Sequence, residues 1–132
     1  MSGGSPCPRL HHVALGAQDP ERVAAFYRDV LGLVEVRRSL LEDSRVRSVW
    51  LDLGGAVLMV ERTEAGPRRV DGIGAGPFLL AVTAVGDVVA HARRLEEAGV
   101  VIEGRTEHTC YARDPEGNRV AVSSYPLRDD RR

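Results

Sequence analysis

The feature that most constrains this chain is that its pattern of strands and helices is written twice. Residues 10–16 are strand-like, Asp19 offers an N-cap, and Pro20 suits a first helical turn. Val23, Phe26, Tyr27, Val30 and Leu31 then follow the i, i+3, i+4, i+7, i+8 spacing of a helix with one buried face, and Gly32 is placed to close it. A strand is predicted over residues 33–38. Beyond the polar stretch 42–44, two more are predicted over 47–53 and 56–62, joined by a tight turn at Gly54 and Gly55. The same order returns in the second half: a strand over 78–83, a helix with Val85, Val88, Val89, Ala92 and Leu95 on one face, and Gly99 as its cap. Strands near 100–104, 107–113 and 119–124 complete it. The two capping glycines stand 67 residues apart, which marks an internal duplication of a β-α-β-β-β unit.

At 132 residues the chain is one domain by length, and folding buries roughly 68% of the surface the unfolded chain exposes, enough for a core without staples. We expect a tail over residues 1–8, a single domain over 9–126 with modules at about 10–62 and 77–124, and a charged C-terminal tail over 127–132. Eighteen basic against nineteen acidic residues give a net charge of −1, so there is no electrostatic footprint for nucleic acid or an anionic membrane. Cys7 in a Gly/Ser/Pro-rich tail and Cys110 in a predicted strand make no disulfide framework, and no apolar run resembles a signal peptide or a membrane span. A cytoplasmic protein is expected.

Strand alternation assigns faces. If Val49, Leu51 and Leu53 pack under the helices, then Ser48, Trp50 and Asp52 face the other way, as do Val57, Met59 and Glu61 of the next strand. The same logic places His12 and Ala14, Leu79 and Ala81, Thr109, Tyr111 and Arg113, and Arg119, Ala121 and Ser123 on this second face, a mixed apolar and polar wall. Cys110 and His11 fall on the core side, and His91 has no partner at ligand spacing. The segment "TEAGPRRVDGIGAG" reads as a linker bordering the cleft. Its glycines precede a strand instead of opening a helix, so they lack the geometry that cradles phosphate.

The opening "LHHVALGAQDPERVAAFYRDVLGLVEV", the close "DPEGNRVAV" and the paired plan resemble the vicinal oxygen chelate superfamily, that of glyoxalase I, ring-cleaving dioxygenases and bleomycin-binding proteins. The resemblance implies an α+β fold in which two βαβββ modules form an eight-stranded, cleft-shaped mixed sheet with helices on the outer face, commonly as a homodimer. It does not fix one reaction. In metal-dependent members the first and fourth strands of both modules supply ligands. Carried over by position, the first matches His12, but the others fall on Met59, Pro77 and Ala121, side chains that offer no hard donor. No cofactor is therefore expected, the alternative being a divalent metal at a shifted centre that uses His12 and Glu61. The fosfomycin-resistance branch uses pocket aromatics at positions that match Trp50 and Tyr111.

The expectation is a small-molecule-binding protein that sequesters an amphipathic or aromatic compound. Its ligand-binding candidates are His12, Trp50, Val57, Met59, Glu61, Leu79, Thr109, Tyr111, Arg113, Ala121 and Ser123, with Arg119 beside Arg113 to fix polar groups. The alternative is a lyase, isomerase or dioxygenase-type enzyme, either with a rearranged metal site or metal-free with His12 and Glu61 as acid and base. His12 also reads as a plain wall residue, and Trp50 as the filler of a core or dimer gap.

Overall fold

The structure, a computed structural model, describes residues 6–65, 71–74 and 78–127. The first module runs β1 (His12–Ala17), α1 (Pro20–Ala25), a π-helical turn (Phe26–Val30), β2 (Glu35–Leu40), β3 (Val46–Asp52) and β4 (Val57–Arg62). The second runs β5 (Leu80–Thr83), α2 (Val88–Glu97), β6 (Gly104–Arg105), β7 (Thr109–Arg113) and β8 (Arg119–Ser123). This is the α+β fold of two βαβββ modules. Its eight strands hydrogen-bond as two sheets of four, ordered β1-β4-β3-β2 and β5-β8-β7-β6, with β1 parallel to β4 and β5 parallel to β8. Among the described residues, no helix is long and apolar enough to cross a membrane.

Both helices begin as their sequences dictate. The Asp19 carboxylate accepts from the Arg22 backbone N–H at 3.1 Å with Pro20 in the first turn, and Asp87 accepts from the Ala90 N–H at 2.8 Å. Each ends at a glycine with a left-handed backbone, Gly32 at φ 85° and Gly99 at φ 88°.

Four local expectations need correction. The first helix is not continuous: after Ala25 the coil widens, and the Leu31 N–H reaches back to the Phe26 carbonyl at 3.1 Å. In the second, Val85 and Val89 are 66% and 52% exposed; Val88, Ala92 and Leu95 are buried and His91 joins them, its Nδ1 accepting from the Val85 N–H at 3.0 Å. The strand expected over 100–104 is reduced to Gly104–Arg105. His11 precedes β1 and is exposed, so it has no core side.

One apolar core joins the modules. Leu15, Ala17, Val49, Leu51, Leu58 and Val60 of the first sheet, Cys110, Ala112, Val120 and Val122 of the second, and Val23, Tyr27, Ala92 and Leu95 from the helical segments form a single cluster. The turn "DPEGN" fastens it. Inside the core, the Tyr27 hydroxyl donates to Asp114 Oδ2 at 2.9 Å, while Asp114 Oδ1 accepts from the Glu116 and Asn118 backbone N–H groups. At the rim, the Glu116 carboxylate accepts from the backbone N–H groups of Gln18 and Asp19 at 2.8 and 2.9 Å, where α1 begins. These links lie on the helix side of the sheets, so the opposite faces are left outward and β1 and β5 are each paired along one edge only.

Candidate functional site on the outer faces

The outer face of the first sheet is ordered by its ladder. His12 lies opposite Val57, Ala14 opposite Met59, Met59 opposite Trp50, and Trp50 opposite Arg37. Register thus puts Ala14, Met59, Trp50 and Arg37 in one cross-strand row, with Trp50 half-buried. The Trp50 ring stacks on His12 with centroids 6.3 Å apart and planes 20° apart, and the Arg37 guanidinium lies 5.4 Å from the Trp50 ring centroid. His11 closes the series, its Nδ1 lying 2.8 Å from that of His12, a separation that requires one nitrogen to donate and the other to accept. Beside this stack lies a cavity of about 420 Å³ lined by Arg9, Leu10, His11, Trp50, Asp52, Gly55, Ala56 and Val57.

Glu61 is elsewhere. It lies opposite Gly16 and Ser48, four residues along β4 from Val57, the partner of His12. At about 3.3 Å per residue that is roughly 13 Å of strand, too far for one metal or one proton transfer to use both within a chain. Glu61 instead lines a separate cavity of about 520 Å³ with Arg45, Arg47 and Arg62. The shifted centre and the acid/base pair imagined for His12 and Glu61 are thus not assembled.

The second sheet carries Leu79 just ahead of β5, then Thr109, Tyr111, Arg113, Arg119, Ala121 and Ser123. Thr109 Oγ1 and Ser123 Oγ are 2.7 Å apart, and Tyr111 pairs with Ala121, which is only 2% exposed. Two described residues of the linker lie against this face: Ile73 fills the space a side chain at Gly104 would need, and one at Gly74 would meet the Tyr111 ring. Arg113 is already engaged within the chain. Its Nε donates to Glu103 at 2.9 Å, and its Nη1 and Nη2 donate to the carbonyls of Gly117 and Gly72. Cys110 is buried on the core side as expected, and burial raises its thiol pKa, away from a nucleophilic thiolate.

The side-chain hydrogen bonds described between the modules lie on the helix side, at Tyr27–Asp114 and where Glu116 meets Gln18 and Asp19. A cavity of about 740 Å³ spans the module junction, where Leu10, Gly55 and Ala56 beside the Trp50 stack meet Leu80, Ala81 and Thr83 of the second module. The donors do not fit the metal site of the family plan. Met59 presents a thioether between Ala14 and Trp50, Ala121 is a buried methyl group, and Pro77 lies outside the described residues. Among those described, no three His, Cys, Asp or Glu side chains converge.

Sequence reasoning missed Arg37 and the neighbourhood of His11. Alternation along β2 was the available signal for Arg37, but a register shift between Glu35 and Arg37 disturbs it.

Two modules of this plan with outward sheet faces define a class, and the sequence agrees with it. Residues 9–122 match the Glyoxalase/Bleomycin resistance protein/Dioxygenase superfamily, and the chain belongs to that family. No curated protein matches. Among solved structures, the chain is similar to lactoylglutathione lyase from Agrobacterium tumefaciens, at 26% identity over 90% of this chain and 95% of that one with a TM-score of 0.63. It is similar to TioX from Micromonospora sp. ML1 at 25% identity over 90% and 100%, TM-score 0.66. The fosfomycin resistance protein FosX from Listeria monocytogenes, solved with Mn(II) and 1S,2S-dihydroxypropylphosphonic acid, shares the fold at 15% identity over 96% of each chain, TM-score 0.70.

Proposed function

We propose that this protein is a cytoplasmic homodimer that binds an amphipathic or aromatic small molecule against the outer sheet faces, with no divalent metal. The observation that carries this reading is the Arg37, Trp50 and His12 stack beside the 420 Å³ cavity. A flat π surface with a cation over it and an apolar floor of Val57 and Ala56 suits a planar ring, and the volume lies within the range of small-molecule sites. Met59, directly opposite Trp50 in the same row, adds a deformable apolar contact. Where the family plan needs several hard donors at once, this chain offers a thioether and a methyl group, so a ligand here is selected by shape and stacking. Residues of the second sheet, Tyr111, Thr109 and Ser123 among them, complete the cleft when a second copy brings that face opposite the first. The free thiols of Cys7 and Cys110 suit a reducing compartment.

The test uses the single tryptophan. Titration with a panel of planar naphthalene- and acridine-type compounds is expected to quench or shift Trp50 emission saturably for at least one of them. Trp50→Ala, followed by calorimetry, should then weaken that compound about tenfold or more. Stoichiometric metal in protein purified without a histidine tag, lost when His12 is changed to Ala, would sink the metal-free reading. A panel that binds with Trp50 emission unchanged would move the site off this stack.

A further inference from the structure

The second sheet's outer face has a charge asymmetry that small-molecule binding alone does not explain. Arg113 and Arg119 lie directly opposite each other across β7 and β8, a like-charged cross-strand pair that costs stability unless each charge is compensated. Arg113 is compensated by Glu103. Arg119 is not: it is only 6% exposed, and its described partner is the Phe78 backbone carbonyl, which accepts from Nε at 3.2 Å and from Nη2 at 2.9 Å. Among the described residues no carboxylate pairs with it, and its Nη1 donates to none of them. Taking a guanidinium this far out of water without a counter-charge is expensive, and a neutral side chain of similar shape would avoid the cost.

The rest of the face leans the same way. The hydroxyls of Thr109, Tyr111 and Ser123 on this face can donate: Thr109 and Ser123 share one hydrogen bond at 2.7 Å, which leaves one proton of that pair for a partner, and Ser123 Oγ also accepts from the Tyr125 backbone N–H at 3.1 Å. Where the family plan places a cation-binding carboxylate, the residue is Ala121. A face with a fixed, uncompensated guanidinium, donor hydroxyls and no free carboxylate among the described residues is built for an anion, the reverse of a divalent cation.

We propose that Arg119 is the anchor of an anion subsite, so that the natural ligand carries a carboxylate, phosphate or phosphonate group beside its apolar part. The proposal deepens the small-molecule reading and rests on it for the ligand as a whole, but the subsite is tested separately. The probes are phenylphosphonate, benzoate and the neutral benzamide at constant ionic strength, followed by calorimetry and by the Arg119 Nε–H signal in proton–nitrogen spectra. Benzoate or phenylphosphonate should bind at least tenfold tighter than benzamide and move the Arg119 signal, and whichever binds tighter identifies the anion class. Arg119→Met should reduce anion affinity about 10- to 100-fold, leave benzamide within about twofold, and be partly rescued by Arg119→Lys. Should Arg119→Met fail to fold, the wild-type signal and the ratio of anion to amide affinity decide.

Equal binding of anion and amide, or anion binding that leaves the Arg119 signal in place, overturns the subsite, whether or not neutral aromatics quench Trp50. Anion binding that moves Arg119 while no aromatic reaches Trp50 upholds it and moves the rest of the ligand off the stack.

Discussion

Asp114 shows how much one side chain can hold. It accepts the Tyr27 hydroxyl, the backbone N–H groups of Glu116 and Asn118 and the Asn118 amide while only 4% exposed, tying the first helical segment to the turn that launches β8. Burial, then the Asp114 charge, raises the Tyr27 pKa, so that hydroxyl stays a donor at any physiological pH. Asp114→Ala strands several donors and should lower unfolding stability by about 3 kcal/mol, whereas Tyr27→Phe should cost about 1 to 2 kcal/mol, both read from urea midpoints. From sequence, "DPEGN" was legible as a turn, but its role as a latch between modules was not, because Tyr27 and Asp114 are 87 residues apart. His91 gives a pH signature. Burial, then Arg94, lowers its pKa, and its Nδ1 must stay unprotonated to accept from Val85. The unfolded chain therefore binds the proton more readily, so this contribution is complete above about pH 6.5 and is lost as pH falls below it. Thermal melts should fall over that window in wild type, and more shallowly in His91→Gln.

At the level of elements, periodicity located both helices, and alternation sorted the faces of β1, β3, β4, β7 and β8, because each strand has one face in a shared core. It failed where an element is short or ends early. Val85 and Val89 carry the apolar spacing of α2, yet the helix begins at Val88 and turns Val89 outward. What decides the buried stripe is the position of the Asp87 cap, which sets the phase of the helix, and a list of apolar spacings does not contain that phase. Two substitutions separate the readings. Leu95→Ala, at a residue 2% exposed, should cost about 2 to 5 kcal/mol, while Val89→Glu should stay within about 0.5 kcal/mol by chemical denaturation. A large loss at Val89 would restore the stripe read from sequence.

For the whole molecule, the decisive fact is that the modules join through their helix sides, which turns the candidate ligand surfaces outward. The list of cleft residues was readable from alternation, but their division between two sheet faces was not, since strand period tells which face a residue is on and not which faces meet. We expect a cleft that uses Trp50 and Tyr111 together to form with a second chain, whose symmetric pairing would set the first sheet of one copy against the second sheet of the other and cover the open edges of β1 and β5. Light scattering at micromolar concentration should report a dimer, but a dimer alone does not prove a shared site. Mixing two crippled copies does. Trp50→Phe removes the emitting ring of the first sheet, and Tyr111→Ala damages the second. Mixed and allowed to exchange, about half of the Tyr111→Ala copies would pair with a Trp50→Phe copy, each such pair containing one intact composite cleft with an emitting Trp50. About half of the tryptophan signal should then respond to the quenching probe at wild-type affinity, where neither variant alone responds so. If each site lay within a single chain, exchange would create no intact site, and the mixture would titrate as the sum of its parts.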